Sequence, residues 1–446
     1  MILSLLFCTL VFGTLLVFYI NNKKLLSPTL ILFAGFTVSV FSIIINRDFF
    51  GRDISLNTYL VIIISLIAWG VGEILSKSAY IKMRKPILSL APKYMILPSS
   101  RILFISCLII FGVALSEYYR FINIAKLIGG GDNFLLNYGL IRKYVVEEQN
   151  SGAQSSMFAA TRTVVAMITL AKTLTYFFIV LFFFNKYFHG VKKYIYLFPV
   201  LFYLPILFFT TSRSTFLELF SFVFLTMLLI KFQSKGWGKD SFKILRKMTI
   251  PLLVLIIGFY SIGFVRSNGI GPLISIEMFN TLSKYFGSSI YGLDILINNK
   301  IPQSFYFGEQ TISILYAIFE KIGFEFEKLP LHSEFFDIGN GADTSNIYTA
   351  LRKPIIDFGI LGMLSTRVCM GFIYGVIFRY FSNNLNNPYS IGTYVIFPLV
   401  YYPLMMYIFS DLFNYFFQFS FIELLLILVF LKRLIVKRSL VLNSDI

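Results

Sequence analysis

The sequence predicts an all-α polytopic membrane protein with eleven or twelve transmembrane helices. Of its 446 residues, 57% are hydrophobic and only 14% are charged. A soluble chain of this length could not bury so much apolar surface in cores of ordinary size. The apolar residues also form long continuous runs, and these match the roughly 30 Å thickness of the hydrocarbon core of a bilayer.

Eleven spans follow one another in a single transmembrane domain that covers residues 1–446. No basic residue precedes the first span, and Lys23 and Lys24 follow it, which predicts an uncleaved segment with its N-terminus outside. The predicted spans are residues 2–20, 26–45, 58–75, 102–117, 164–184, 195–211, 214–230, 249–265, 356–380, 391–410 and 412–431.

The distribution of charge supports this topology. Lys23, Lys24, Arg379 and the cytoplasmic segments together hold 22 of the 39 Lys and Arg residues, against only Asp240 and Asp445. The basic excess is therefore a topology signal that faces anionic lipid headgroups, and not a nucleic-acid surface. The cytoplasmic segments in this topology are residues 76–101, 185–194, 231–248, 381–390 and those after the last span.

Two outer segments are longer than simple connections. They cover residues 118–163 and 266–355, and loops of this length usually carry function. In the second, the stretches "SIYGLDIL" and "QTISILYAIFEKIGFEF" have the pattern of amphipathic helices that lie on a membrane face.

One cation stands out in "TTSRSTFLELF", residues 210–220. Arg213 is surrounded by five hydroxyl side chains and precedes a span whose N-terminus faces outward. Free helix N–H groups, hydroxyls and a guanidinium together make an anion site suited to a lipid-linked phosphate. The alternative is a turn arginine that reaches to headgroups. Glu218 lies five residues further on and does not share a helical face with Arg213.

Other arginines lie at outer span mouths. Arg162 follows the first outer loop in "AATRT", Arg266 begins the second in "GFVRSNG", and Arg352 ends it. Individually each fits an interfacial anchor. As a set with Arg213, they are predicted to surround one anionic headgroup.

The segment "NIYTALRKPIIDFGILG" combines several chemistries at the membrane boundary. Asn346 and Tyr348 suit sugar hydroxyls, while Arg352 suits a diphosphate through bidentate contact. Asp357 is a carboxylate that could accept a proton or simply pair with Arg352.

His332, in "LPLHSEFFDIGNGAD", is the other candidate for a general base, because its pKa range suits proton transfer from a sugar hydroxyl. Glu334, Asp337 and Asp343 are rivals for that role, and an incidental loop histidine is the structural alternative.

Several signatures are absent from the sequence. There is no Asp-x-Asp motif for a metal-bound nucleotide sugar, no phosphate-binding Walker loop and no zinc signature, so no cofactor or metal is predicted. Cys8, Cys107 and Cys369 fall in apolar spans, which disfavours disulfides. The few charges within spans are expected mostly near span ends, unlike those of a coupled transporter. They are Glu73, Lys172, Glu218, Arg367 and Glu423.

The chain resembles bacterial O-antigen polymerases, the Wzy-type oligosaccharide repeat-unit polymerases, over essentially its whole length. The likeness rests on the "TTSRSTFL" turn between short spans, the large late outer loop, and "NIYTALRKPIIDFGILG" at the entry to the next span. The resemblance implies a GT-C-like fold in the bacterial inner membrane and glycosyl transfer at its periplasmic face, without metal or nucleotide sugar. The growing chain would leave its undecaprenyl diphosphate and join the non-reducing end of a new lipid-linked repeat unit.

The resemblance also implies roles and partners. Arg213, Arg266, Arg352 and Arg162 would hold diphosphate, and Asp357 or His332 would deprotonate the acceptor hydroxyl. The partners would be undecaprenyl-diphosphate-linked oligosaccharides, membrane lipids and a chain-length regulator protein, but no nucleic acid. The alternatives are a capsule or exopolysaccharide polymerase, an O-antigen ligase, a flippase for the lipid-linked oligosaccharide, and a non-catalytic scaffold.

Overall fold

The computed structural model of the chain describes residues 1–82, 94–129, 138, 140–141, 161–210, 213–236, 276–299, 301–326, 335–338, 344–383, 391–436 and 440–442. Helices dominate this part of the chain, in agreement with the all-α class. The helices are α1 (Ile2–Ile20), α2 (Pro28–Ile45), α3 (Arg47–Phe50), α4 (Leu56–Lys82), α5 (Ser100–Leu127), α6 (Arg162–Phe188), α7 (Phe198–Phe209), α8 (Arg213–Lys235), α9 (Ile276–Asn298), α10 (Ser313–Lys321), α11 (Arg352–Asn383), α12 (Ile391–Met405) and α13 (Phe419–Ile435). Two 3-10 turns cover Tyr194–Leu197 and Phe413–Phe417.

Seven of the described helices are long and apolar enough to cross a membrane, which supports a polytopic membrane protein. They are α1, α2, α4, α5, α6, α8 and α11. Helix α7 with its preceding 3-10 turn and helix α12 are shorter apolar helices. The predicted span 249–265 lies outside the described residues, so the total of eleven or twelve spans stays a prediction, as does the GT-C-like fold.

Helices α4 and α11 pack with their backbones in direct contact. A Cβ atom added to Gly72 would lie 2.1 Å from the carbonyl oxygen of Val368, and one added to Gly371 would lie 2.1 Å from that of Trp69. Only glycine permits this approach. The contact places Trp69, which is fully buried, at the centre of the bundle.

Helix α9, in the second predicted outer loop, lies across the ends of α2 and α4. The Asn46 side-chain amide donates to the Asn280 Oδ1 at 2.8 Å, and the Thr58 hydroxyl donates to Asp294 at 2.7 Å. Residues 288–291, which include the start of "SIYGLDIL", are completely buried. This turn of α9 is therefore enclosed by protein, where the sequence predicted a helix lying on the membrane.

The last two predicted spans differ from the observed helices. Helix α12 ends at Met405 and α13 begins only at Phe419, whereas the sequence predicted almost continuous spans over 391–410 and 412–431. Helix α11 is also interrupted, because Gly359 adopts φ 66° and ψ −174°. Glycine alone adopts this conformation without strain, so the segment Arg352–Phe358 forms a separate short helix.

Two short strand pairs complete the described structure. At the end predicted to be cytoplasmic, β1 (Tyr94–Ile96) pairs antiparallel with β4 (Leu440–Leu442). The Asn185 side chain fixes β1 by donating to the Ile96 carbonyl at 2.8 Å. At the other end of the bundle, β2 (Phe336–Asp337) pairs with β3 (Thr344–Ser345).

Candidate functional site

The chain between α12 and α13, residues 406–418, contains no α-helix and is named here the broken segment. Trp69 lies at the midpoint of the 27-residue helix α4, roughly 20 Å from either end at the rise of an α-helix. The rings of Tyr407 and Phe413 lie 5.7 Å and 6.4 Å from the Trp69 ring. The broken segment therefore reaches the middle depth of a spanning helix. Non-helical backbone is stable at such depth only where it is enclosed by protein or lines a polar cavity.

A buried arginine contacts the broken segment. Arg367 of α11 is only 2% exposed, and its Nη1 donates to the Tyr407 hydroxyl at 2.9 Å. The guanidinium also lies 5.5 Å from the centre of the Tyr407 ring. Because a cation inside a membrane protein is costly, its default interpretation is a functional one.

The segment itself contains a buried carboxylate, Asp411. Its Oδ1 accepts a hydrogen bond from the Phe413 backbone N–H at 3.1 Å, while its Oδ2 has no partner among the described residues. The Lys353 ammonium donates to the Asp411 carbonyl at 3.4 Å. Burial disfavours the negative charge of this carboxylate, and the nearby Lys353 and Arg367 cations offset that effect only in part. The site thus combines an available carboxylate oxygen with two positive charges.

Other buried polar atoms near this point also have no partner within the described part of the chain. They are the Asn414 Oδ1, the Thr311 hydroxyl and the Thr349 hydroxyl. The Asn414 side-chain amide donates to the Ser313 hydroxyl at 3.2 Å, which joins the broken segment to the start of α10. Buried polar atoms normally have hydrogen-bond partners, so these atoms are available to a bound hydroxyl-rich molecule or to ordered water.

Asp357, a predicted catalytic residue, has its carboxylate fully engaged. It accepts hydrogen bonds from the Ser304 hydroxyl at 2.5 Å, the Gln310 N–H at 3.0 Å and the Thr311 N–H at 2.6 Å. None of the hydrogen bonds to Asp357 from described residues comes from Arg352. A carboxylate that already accepts three hydrogen bonds holds the turn before α10 in place, whereas Asp411 keeps an oxygen without a partner among the described residues.

The remaining predicted residues are only partly described. The Arg352 guanidinium lies 4.8 Å from the centre of the Tyr348 ring, which packs 5.0 Å from the Phe336 ring. Asn346 is exposed beside them. The Arg213 side chain, Arg266 and His332 lie outside the described residues, as do the rivals Glu334 and Asp343; Asp337 lies in β2 and is exposed.

Arg162 is placed at a rim. Its side chain is 78% exposed, its Nη2 lies 3.9 Å from the Glu423 carboxylate, and its guanidinium covers the Phe419 ring at 5.2 Å. A guanidinium beside a carboxylate is a weak anion site, and the position fits an interfacial anchor. No described contact joins Arg162 to Arg352, so the convergence of four arginines stays a prediction.

Three of the charged residues within the predicted spans are buried in protein. Lys172 of α6 and Glu218 of α8 form an ion pair at 2.5 Å with side chains 14% and 11% exposed. Glu73 of α4 is 3% exposed and accepts from the Thr29 N–H at 2.8 Å, which caps α2. The contact of Glu73 with the first turn of α2 agrees with the predicted position near a span end. For Lys172 and Glu218, burial does not fix the depth in the membrane, so their position near span ends stays a prediction.

Sequence reasoning missed Asp411. The one available signal was its position: Asp411 and Glu423 are the only charged residues between Ile391 and Leu431. That signal was weak, because the same position fits a short loop between two spans.

Comparison with protein-family models, curated proteins and solved structures finds no match for the chain. Fold and site together define the class, an all-α membrane-embedded protein with a charged polar site at a break between helices.

Proposed function

We propose that the chain is a membrane glycosyltransferase that polymerises undecaprenyl-diphosphate-linked oligosaccharide repeat units at the periplasmic face of the bacterial inner membrane. The observation that carries the proposal is a buried Asp411 oxygen that has no partner among the described residues and lies near the Lys353 and Arg367 cations of α11. The motif resemblance of the sequence to O-antigen polymerases supports the same reaction.

In the proposed chemistry, the Asp411 carboxylate and the neighbouring cations have different roles. The oxygen of the acceptor sugar hydroxyl forms a bond to the anomeric carbon of the growing chain, and the bond from that carbon to the diphosphate oxygen breaks. Asp411 takes the hydroxyl proton, a step that typically contributes about 10²–10⁴-fold to the rate. The diphosphate leaves with the bonding electron pair, and Lys353 with Arg352 stabilises its charge. Asn414 and Thr311 bind sugar hydroxyls.

The test is chain elongation by purified protein in detergent, with undecaprenyl-diphosphate-linked repeat units and no ion gradient. Wild-type protein is expected to lengthen the oligosaccharide. Asp411→Asn is expected to lower the rate about 10²–10⁴-fold, while the asparagine Oδ1 still accepts from the Phe413 N–H and preserves folding. Glu423→Gln is the matched control, because Glu423 lies at the rim beside Arg162, and it is expected to keep wild-type activity. Full activity of Asp411→Asn would contradict the proposed base.

Cells expressing Asp411→Asn are expected to carry single repeat units on lipid A in place of a ladder. Retention of single-unit lipopolysaccharide distinguishes a polymerase from an O-antigen ligase, whose loss removes the single units as well. Loss of a capsule or exopolysaccharide with normal lipopolysaccharide would instead indicate the related polymerase of that polymer.

A second candidate is a flippase for the lipid-linked oligosaccharide, and the buried Lys172–Glu218 pair is the observation that favours it. Transporters place charged residues inside the membrane along their substrate path. Movement of lipid-linked repeat units across proteoliposomes, with no elongation in detergent, would select the flippase.

A further inference from the structure

The buried ion pair of Lys172 and Glu218 contacts the broken segment at Tyr415, whereas Arg367 contacts it at Tyr407. The Lys172 Nζ donates to the Tyr415 hydroxyl at 2.9 Å, and that hydroxyl donates to the Glu218 Oε1 at 3.1 Å. Together with the 2.5 Å ion pair, these bonds form a closed triangle. The Tyr415 hydroxyl therefore accepts from the cation and donates to the anion at the same time.

The triangle lies beside the residues of the candidate site. Tyr415 belongs to the 3-10 turn Phe413–Phe417 and directly follows Asn414 in the chain. The opposite end of the broken segment is held by the Ala350 N–H, which donates to the Tyr407 carbonyl at 2.8 Å. Between these two attachments lies Asp411. A segment without regular helical hydrogen bonds needs such attachments to keep one conformation.

Burial of an ion pair is by itself weak evidence for stability, because desolvation offsets the attraction between the charges. Lys172 and Glu218 already belong to packed helices, and both apolar surroundings and neighbouring tyrosines enclose them. Their contact with Tyr415 gives the pair a further role, since a pair of opposite charges fixes a hydroxyl in orientation more strongly than a neutral partner does.

We infer that Lys172 and Glu218 are positioning residues that hold the broken segment through Tyr415, so that Asp411 and Asn414 keep one fixed position. The chemical consequence rests on the proposed function, whereas the attachment of the segment does not. Tyr415→Phe removes the hydroxyl and leaves the Lys172–Glu218 ion pair intact. The substitution therefore distinguishes positioning of the broken segment from a role of the ion pair in holding α6 against α8.

The attachment is tested with a cysteine reporter at Ser410, a half-buried residue of the broken segment. Reaction of Ser410→Cys with a membrane-impermeant maleimide from the periplasmic side measures the opening of the segment. Tyr415→Phe is expected to raise the labelling rate about tenfold, because it removes two hydrogen bonds to charged groups. The reporter is placed in a background that replaces the native cysteines Cys8, Cys107 and Cys369 with serine.

Tyr402→Phe is the matched control. The Tyr402 hydroxyl is also buried in this region but donates to the Ser214 carbonyl of α8 at 3.0 Å, so its loss is expected to leave labelling unchanged. Lys172→Met is expected to raise the labelling rate as Tyr415→Phe does. The double variant Lys172→Glu with Glu218→Lys exchanges the two charges and is expected to return the labelling rate to that of the wild type. Wild-type labelling in Tyr415→Phe would overturn the inference, even if Lys172→Met fails to fold.

The elongation assay supplies the second readout. Tyr415→Phe is expected to lower kcat about tenfold or more with little change in KM, because it disturbs the orientation of Asp411 and not the diphosphate contacts. A rise in KM alone would overturn the positioning role. If labelling responds as expected but wild-type protein elongates nothing, the attachment stands and the proposed function fails.

Discussion

The backbone contact between α4 and α11 makes a sharp prediction for Gly371→Ala. The added Cβ would lie 2.1 Å from the Trp69 carbonyl oxygen and 2.9 Å from its carbonyl carbon. Both obstacles are backbone atoms, which cannot rotate away as a side chain can. The two helices must therefore separate by about 1 Å to reach a normal contact distance.

The energetic cost follows from that displacement. Overpacking of a tight core typically costs about 1–3 kcal/mol, and a rigid backbone obstacle places this substitution at the upper end. Separation of the helices also loosens the packing of Trp69 on Tyr374, whose ring centroids lie 5.7 Å apart. We expect a loss of about 3 kcal/mol, more than a hundredfold in the folding equilibrium.

The assay is thermal unfolding in detergent followed by tryptophan fluorescence. The chain has two tryptophans, and replacement of Trp237 with phenylalanine leaves Trp69 as the only reporter. Gly371→Ala is expected to lower the melting temperature by several degrees. Gly112→Ala in α5 is the matched control, because its Cβ meets nothing within 4 Å, and alanine there is expected to stabilise slightly. Equal melting of Gly371→Ala and wild type would refute the described contact between α4 and α11.

Substitutions at three further residues have expected outcomes. Asp357→Ala removes an acceptor of three hydrogen bonds and is expected to expose residues 304–313 to protease and to cost about 1–3 kcal/mol; unchanged cleavage would contradict its structural role. Glu73→Ala leaves the Thr29 donors at the start of α2 without their acceptor and is expected to lower the melting temperature. Glu73→Gln keeps part of the contact, so its melting temperature is expected to lie between those of Glu73→Ala and the wild type. Arg162→Ala is expected to change stability by less than about 0.5 kcal/mol because the pair is exposed, and to keep the polysaccharide ladder.

The boundaries of the first spans could be predicted closely from the sequence. Residues 2–20 and 26–45 were predicted, and the helices cover Ile2–Ile20 and Pro28–Ile45. The length of an apolar run is a local property, so hydropathy alone determines these helices. The broken segment could not be found in this way, because a buried non-helical stretch is as apolar as a spanning helix.

The candidate site depended on contacts between distant parts of the chain. Asp357 was predicted as a base or as a partner of Arg352, yet its donors are the Ser304 hydroxyl and the backbone N–H groups of Gln310 and Thr311. Glu218 was weighed against Arg213 within one helix, yet it pairs with Lys172 from another. Residue types predicted which side chains are candidates for a functional site. The partners of these side chains depend on tertiary packing, which the spacing of residues along the sequence does not reveal.

The short helix α12 has a consequence for biogenesis. Its 15 residues rise only about 22 Å, less than the roughly 30 Å that a lipid bilayer requires. The chain that follows it has polar backbone groups that lipid cannot satisfy, but that earlier parts of the protein can, as the Ala350 N–H does for Tyr407. Helix α12, the broken segment and α13 are therefore expected to leave the translocon into a bundle that has already assembled. Substitutions that delay the association of α4 with α11 would leave α12, the broken segment and α13 without their protein contacts. The newly made protein would then be degraded.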